Sequence, residues 1–146
     1  MEIIKVIYNK KEYLNLLLLA DEQEDMIDRY LEQGEMFVLM DNGVKAECVV
    51  TKEDDGLYEL KNIAVLPDCQ RKGYGKNLIE FVFNHYSDCS KMLVGTGDVP
   101  SALSFYTNCG FTESHREKNF FIDNYDHPMY ENDIQLVDMV YLKKER

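Results

Sequence analysis

From Leu57 to His85 the chain reads LYELKNIAVLPDCQRKGYGKNLIEFVFNH, and this passage limits the possible folds more than any other. A long strand pattern ends at Pro67. Gly73 and Gly75 then stand one residue apart among basic side chains. After them Leu78, Ile79, Val82 and Phe83 fall on one face of a helix expected from about Arg71 to His85. A strand feeding a glycine-marked turn at the start of a helix suits an anion, above all a phosphate. The helix N-terminus supplies unpaired N–H groups and the positive end of a dipole.

Charge sharpens this. The chain carries a formal net charge of −11, which argues against non-specific binding to nucleic acid or anionic membranes. Yet between Lys61 and Lys76 four basic residues (Lys61, Arg71, Lys72, Lys76) face one acid, Asp68. An acidic protein has set a basic island at its glycine turn. A solvated charge cluster would look the same on charge alone.

The remaining pattern places that turn in a mixed architecture. EIIKVIY reads as a first strand. Asn9 is a candidate cap for a helix bearing Tyr13, Leu14, Leu17 and Leu18, and a second helix from about Asp21 carries Met26, Ile27, Tyr30 and Leu31 up to Gly34. EMFVLM-DNG-VKAECVVT is the clearest hairpin, because Asn-Gly suits a primed turn. KMLVGT is a short strand, Pro100 to Asn108 a short helix ended by Gly110, Phe111 opens another strand, and IQLVDMVYL is the last. The order β-α-α-β-β-β-α-β-α-β-β implies a mixed α/β sheet with helices on its faces.

At 146 residues the chain fits a single domain over 1–146. Cys48, Cys69, Cys89 and Cys109 lie too far apart for a metal pair or a redox CxxC, so no metal and no disulfide are expected. The N-terminus lacks the pattern of a signal peptide, and LNLLLLA is too short to cross a bilayer. A cytoplasmic protein is expected.

Three glycine motifs compete for the turn. A dinucleotide-binding fingerprint needs a third glycine where Leu78 stands. A Walker A loop needs four residues between its glycines and Ser or Thr after the lysine, where Asn77 follows Lys76. Neither fits. The segment NIAVLPDCQRKGYGKNLIEF instead resembles the acetyl-coenzyme A motif of the GNAT N-acetyltransferase superfamily, V-x-P-x-x-Q/R-x-x-G-x-G/A, with Val65, Pro67, Gln70, Arg71, Gly73 and Gly75 in register. Further on, ALSFYTNCGF resembles the family's A-x-x-F/L-Y-x-x-x-G-F, with Ala102, Phe105, Tyr106 (31 residues past Gly75), Gly110 and Phe111 in place. The resemblance covers essentially the whole chain, and is nearest to small bacterial members with Val-Gly-Thr-Gly before the second motif, as at 94–97.

The resemblance implies a mostly antiparallel sheet splayed at the acetyl-CoA site, with helices on both faces. It implies acetyl-CoA as cosubstrate, its pyrophosphate on N–H groups from Arg71 to Lys76, through Lys72, Gly73, Tyr74 and Gly75, with Gln70 at the loop's start. It implies pantetheine paired with the backbone of Ile63, Ala64 and Val65 like an added strand. Acetyl would pass directly from thioester to a primary amine, with a backbone N–H near Val65 stabilising the oxyanion. Tyr106 matches the family's acid, a phenol suited to protonating the leaving thiolate; as a plain residue it is a helix-face aromatic. Glu59, six residues before Val65, is the candidate base, though a solvated strand glutamate reads the same way. His85, His115 and His127 are further titratable candidates. At Val99 the family pattern often has asparagine, and Ser101 and Ser104 are the nearest replacements. Residues 113–135 form a long acidic and aromatic connection, suited to a lid or acceptor wall. The acidity favours a small cationic amine; a protein N-terminus or lysine, or a non-catalytic CoA-binding module, are the alternatives. Monomer and homodimer both remain open.

Overall fold

The computed structural model describes all residues from 1 to 146, which pack as two compact units, Met1–Cys89 and Ser90–Arg146. In the first unit, β1 (Glu2–Val6) precedes two short helices, α1 (Leu14–Ala20) and α2 (Glu24–Ile27). Then come β2 (Glu35–Met40), β3 (Val44–Asp54), β4 (Leu57–Val65) and α3 (Tyr74–His85). The four strands form an antiparallel meander, Glu2 opposite Met40, Phe37 opposite Cys48 and Glu47 opposite Ala64. The turn between β2 and β3 is the expected Asn-Gly: Asn42 and Gly43 have φ of 56° and 104°, the positive values a primed turn requires.

Residues directly opposite across a pair of strands share a face, so the register assigns the two sides of this sheet. Met36, Val38 and Val49 pack with Leu17, Ile27, Tyr30 and Leu31 from the α1–α2 side. Phe37 turns the other way, with ring centroids 5.6 Å from Phe81 and 5.3 Å from His85 on α3. Helices therefore cover both faces of this sheet, and β3 is buried on both sides from Ala46 to Thr51. His85 belongs to this aromatic packing. It stacks on Phe81 and meets Tyr86 edge-on.

One irregularity changes the aim of β4. Val49 opposes Asn62 but Val50 opposes Leu60, so Lys61 is an extra residue, a β-bulge. Below the bulge Leu60 and Tyr58 face α3, where Tyr58 stacks on Tyr86 at 4.4 Å. Above it Asn62 and Ala64 face α1 and α2. The α2 region is shorter as a helix than its apolar spacing predicted, but Met26, Ile27, Tyr30 and Leu31 are all buried as that spacing required. The Lys10 ammonium donates to the carbonyls of Leu31 and Gly34 at 2.9 and 2.7 Å, closing the chain where it leaves this turn.

The second unit runs β5 (Lys91–Gly97), α4 (Pro100–Asn108), β6 (Thr112–Glu117), α5 (Phe120–Asn124), a hairpin of β7 (Tyr130–Glu131) and β8 (Ile134–Gln135), and β9 (Met139–Glu145). β9 is central, antiparallel to β5 and to β6. The expected last strand is split, since Ile134 and Gln135 pair with the β7 hairpin instead. The connection expected over 113–135 is thus largely structured. Phe121, Met129 and Leu136 fold back on Val99 as a small core.

Candidate functional site

The glycine turn joins the end of β4 to the start of α3. β4 ends at Val65, and a 3-10 turn over Pro67–Cys69 follows, with Cys69 N–H donating to Leu66 O at 2.8 Å. Gln70 Nε2 reaches back to Val65 O at 3.4 Å. Arg71 then adopts φ of 65° and Gly73, the helix N-cap, φ of 86°. These two left-handed residues are why α3 begins at Tyr74, three residues later than its apolar spacing suggested. Gly73 brings no capping side chain, and a Cβ there would meet nothing within 4 Å. The first N–H groups of α3 therefore lie under open space, with the exposed side chains of Arg71, Lys72 and Lys76 around them. This chemistry fits a diphosphate. Gly75 is buried inside the first turn. Tyr74 ties the loop to the β2–β3 turn: its hydroxyl donates to Asp41 Oδ2 at 2.6 Å, and that carboxylate holds the phenol above its ordinary pKa.

The strand before the loop presents backbone. Leu66 N–H donates to Lys45 O at 2.9 Å, which makes Ala46 and Val65 a non-hydrogen-bonded pair. By the alternation of an antiparallel ladder, Ile63 and Val65 turn their N–H and C=O groups away from β3, while Ala64 turns its own toward Glu47. This stretch of strand leads directly into the glycine turn.

Glu59 lies below the bulge opposite Thr51, and its Oε2 pairs with Lys61 Nζ at 3.1 Å. Lys61, counted in the basic island, is therefore engaged on the strand and is not part of the loop. In the second unit Tyr106 is buried on α4, its ring packed edge-on against Phe105 at 5.1 Å and Phe111 at 5.8 Å. Val99 is a core residue, while Ser101 Oγ accepts from Asn132 Nδ2 at 3.0 Å. His115 stacks on Tyr141, and His127 pairs with Asp126 at the surface.

The sequence reading passed over Glu47. It is fully buried, neither carboxyl oxygen has a hydrogen-bond partner, and burial pushes its pKa well above the ordinary carboxyl range. Asn62 Oδ1 is likewise buried without a donor. The signal was an acid inside an apolar run, AECVV, on a strand too covered to have a solvent face.

Known proteins match this chain over most of its length. Residues 32–113 match the family model described as an acetyltransferase (GNAT) domain. The uncharacterized N-acetyltransferase YvbK of Bacillus subtilis is 36% identical over 135 residues, covering 90% of this chain and 87% of that protein. Among solved structures, a Bacillus subtilis acetyltransferase in complex with CoA superposes with a TM-score of 0.89 at 33% identity, covering 99% of this chain and 98% of the other. A GNAT family acetyltransferase from Elizabethkingia anophelis with acetyl-CoA bound gives 0.92 at 34% identity, covering 99% and 97%. The chain has their α/β fold and works as an acetyl-CoA-dependent acyltransferase. It belongs to the GNAT family of acetyltransferases.

Proposed function

We propose that the protein is one catalytic domain over 1–146 that transfers acetyl from acetyl-CoA directly to a primary amine, with a small cationic amine as acceptor. The observation that carries this is the continuity of the outward-turned backbone at Ile63 and Val65 with the open N-terminus of α3. One segment of chain can hold pantetheine and diphosphate together. In this reading the N–H groups of Tyr74 to Lys76, with Arg71 and Lys72, bind the diphosphate, and Gln70 braces the turn. Ile63 and Val65, on either side of Ala64, turn backbone toward pantetheine, with the Val65 N–H as donor to the thioester oxygen. Tyr106 supplies the proton for the departing sulfur. Glu59 takes the amine's proton only through a chain of several waters, because six residues of strand put about 20 Å between it and Val65. Acidity at the acceptor side favours a cation. Asp21, Glu22, Glu24, Asp25 and Asp28 crowd the α1–α2 segment. No helix is long and apolar enough to cross a membrane.

Isothermal titration with acetyl-CoA, against ATP and NADP, tests the cosubstrate site. Binding of acetyl-CoA alone in the micromolar range is expected, and tighter binding of a control nucleotide would refute the assignment. A panel of primary amines read by free-thiol release tests the acceptor class. The Asp41–Tyr74 tether gives a finer test of the loop. Tyr74→Phe is expected to weaken acetyl-CoA binding about fivefold, the worth of one hydrogen bond at about 1 kcal/mol. An unchanged Kd would show that the loop keeps its shape without it.

A further inference from the structure

Buried polar groups are almost always partnered, and a buried acid most of all. Glu47 departs from this rule in a particular place. It stands directly opposite Ala64, between the two residues whose backbone turns away from β3, with Cβ atoms about 5 Å apart as in any such pair. Two positions along the same face lies Asn62. The Asn62 amide is fixed by what its nitrogen does: Nδ2 donates to Leu17 O at 3.1 Å and to the Tyr30 hydroxyl at 2.9 Å. Tyr30 in turn donates to Asp21 Oδ2 at 3.3 Å. The Asn62 oxygen is left over, buried and without a donor, like both oxygens of Glu47.

The cluster therefore holds three buried oxygens without a hydrogen-bond partner. A core that needed only packing would carry an apolar residue at position 47 and be more stable for it. Once Glu47 gives up its proton, the ligand that completes all three as acceptors is a group with three N–H donors and a positive charge. We propose that Glu47 and the Asn62 side-chain oxygen bind the ammonium head of the acyl acceptor, which enters beside Tyr30 from the acidic α1–α2 segment. This rests on the reading of the chain as an amine acetyltransferase. The segment's five acids between Asp21 and Asp28 draw cations toward Tyr30, and Lys11 already pairs with two of them, Glu24 and Asp28. The geometry also sets a specificity. A primary ammonium matches all three oxygens, a tertiary one offers a single N–H, and a quaternary one offers none. Burial raises the pKa of Glu47, so a cation arriving beside it favours release of the carboxyl proton.

The test uses the full chain and n-propylammonium as probe, followed through the 15N-labelled side-chain amide of Asn62. A saturable shift is expected in the wild-type protein, at least tenfold weaker in Glu47→Gln and absent with 1-propanol. With the best amine from the thiol-release panel, Glu47→Gln is expected to raise KM for the amine at least tenfold and leave KM for acetyl-CoA within twofold. Glu47→Asp should recover part of the loss. A melting curve of Glu47→Gln at or above the wild-type temperature shows that the fold is intact. No shift at Asn62, an equal shift in Glu47→Gln, or an equal response to 1-propanol would overturn the proposal in favour of a buried water. Failure of the acetyltransferase reading looks different: no amine would release thiol, while propylammonium would still bind through Glu47. Amine turnover with KM unchanged in Glu47→Gln would be the reverse.

Discussion

Replacing Glu47 by leucine is expected to stabilise the protein, by about 2 kcal/mol near neutral pH, because it exchanges an unpartnered buried acid for an apolar side chain of similar volume. For a chain of this length that corresponds to a rise in Tm of about 6 °C. Most substitutions at fully buried positions destabilise, so the direction is itself diagnostic. The pH dependence gives a second handle. Burial raises the folded pKa of Glu47 above its unfolded value of about 4.3, so the native state holds a proton that the unfolded chain has lost. Stability contributed by this group is complete below about pH 4.3 and falls as pH rises toward the folded pKa, with a slope approaching about 1.4 kcal/mol per pH unit. Burial similarly raises the neighbouring Tyr30 phenol, which stays neutral throughout this window. Urea denaturation from pH 5 to pH 8 would show the slope in the wild-type protein and its loss in Glu47→Leu. A leucine variant less stable than wild type would mean that Glu47 has a partner in solution, and the argument from its isolation would fail. A stable variant that no longer binds amines would place this residue among those kept for function at a cost in stability.

The cofactor side of the protein was largely legible in its sequence, and the reasons are local. Asn42-Gly43 could only be a tight turn, Pro67 had to end a strand, and Gly73 had to free the backbone at a helix start. Each is a property of one or two residues. The parts that were not legible depend on pairing. An extra residue at Lys61 moves Leu60 and Asn62 to opposite faces, and no period in LYELKNIAV announces it. Glu47 was passed over because nothing in KAECVV says that both faces of β3 are covered. Arg71 was counted into the helix, since a left-handed arginine carries no sequence mark. Val99 drew notice as a departure from the family pattern. Its place in a core with Phe121, Met129 and Leu136 shows what the substitution does: it anchors the segment that follows β6.

Tyr106→Phe is expected to lower kcat about 100-fold while acetyl-CoA affinity stays within twofold, if the phenol donates the proton that the leaving thiolate needs. The choice of phenylalanine matters. The Tyr106 ring lies edge-on to Phe105 and Phe111, and phenylalanine keeps both contacts. Deleting the hydroxyl alone then costs stability by about 1 kcal/mol, a hydrogen bond's worth. Chemistry and packing therefore separate in the readout. Loss of proton donation appears in kcat at saturating acetyl-CoA and amine, and it removes the alkaline limb that a titrating acid imposes on the wild-type rate. Loss of packing appears in Tm and in both KM values. Tyr106→Leu removes both and should show both signatures. If the phenylalanine variant keeps the wild-type kcat, the thiolate takes its proton from water and Tyr106 is a packing residue of α4. If kcat falls and the alkaline limb vanishes with it, the hydroxyl is the acid, and the amine's proton must leave by a different group.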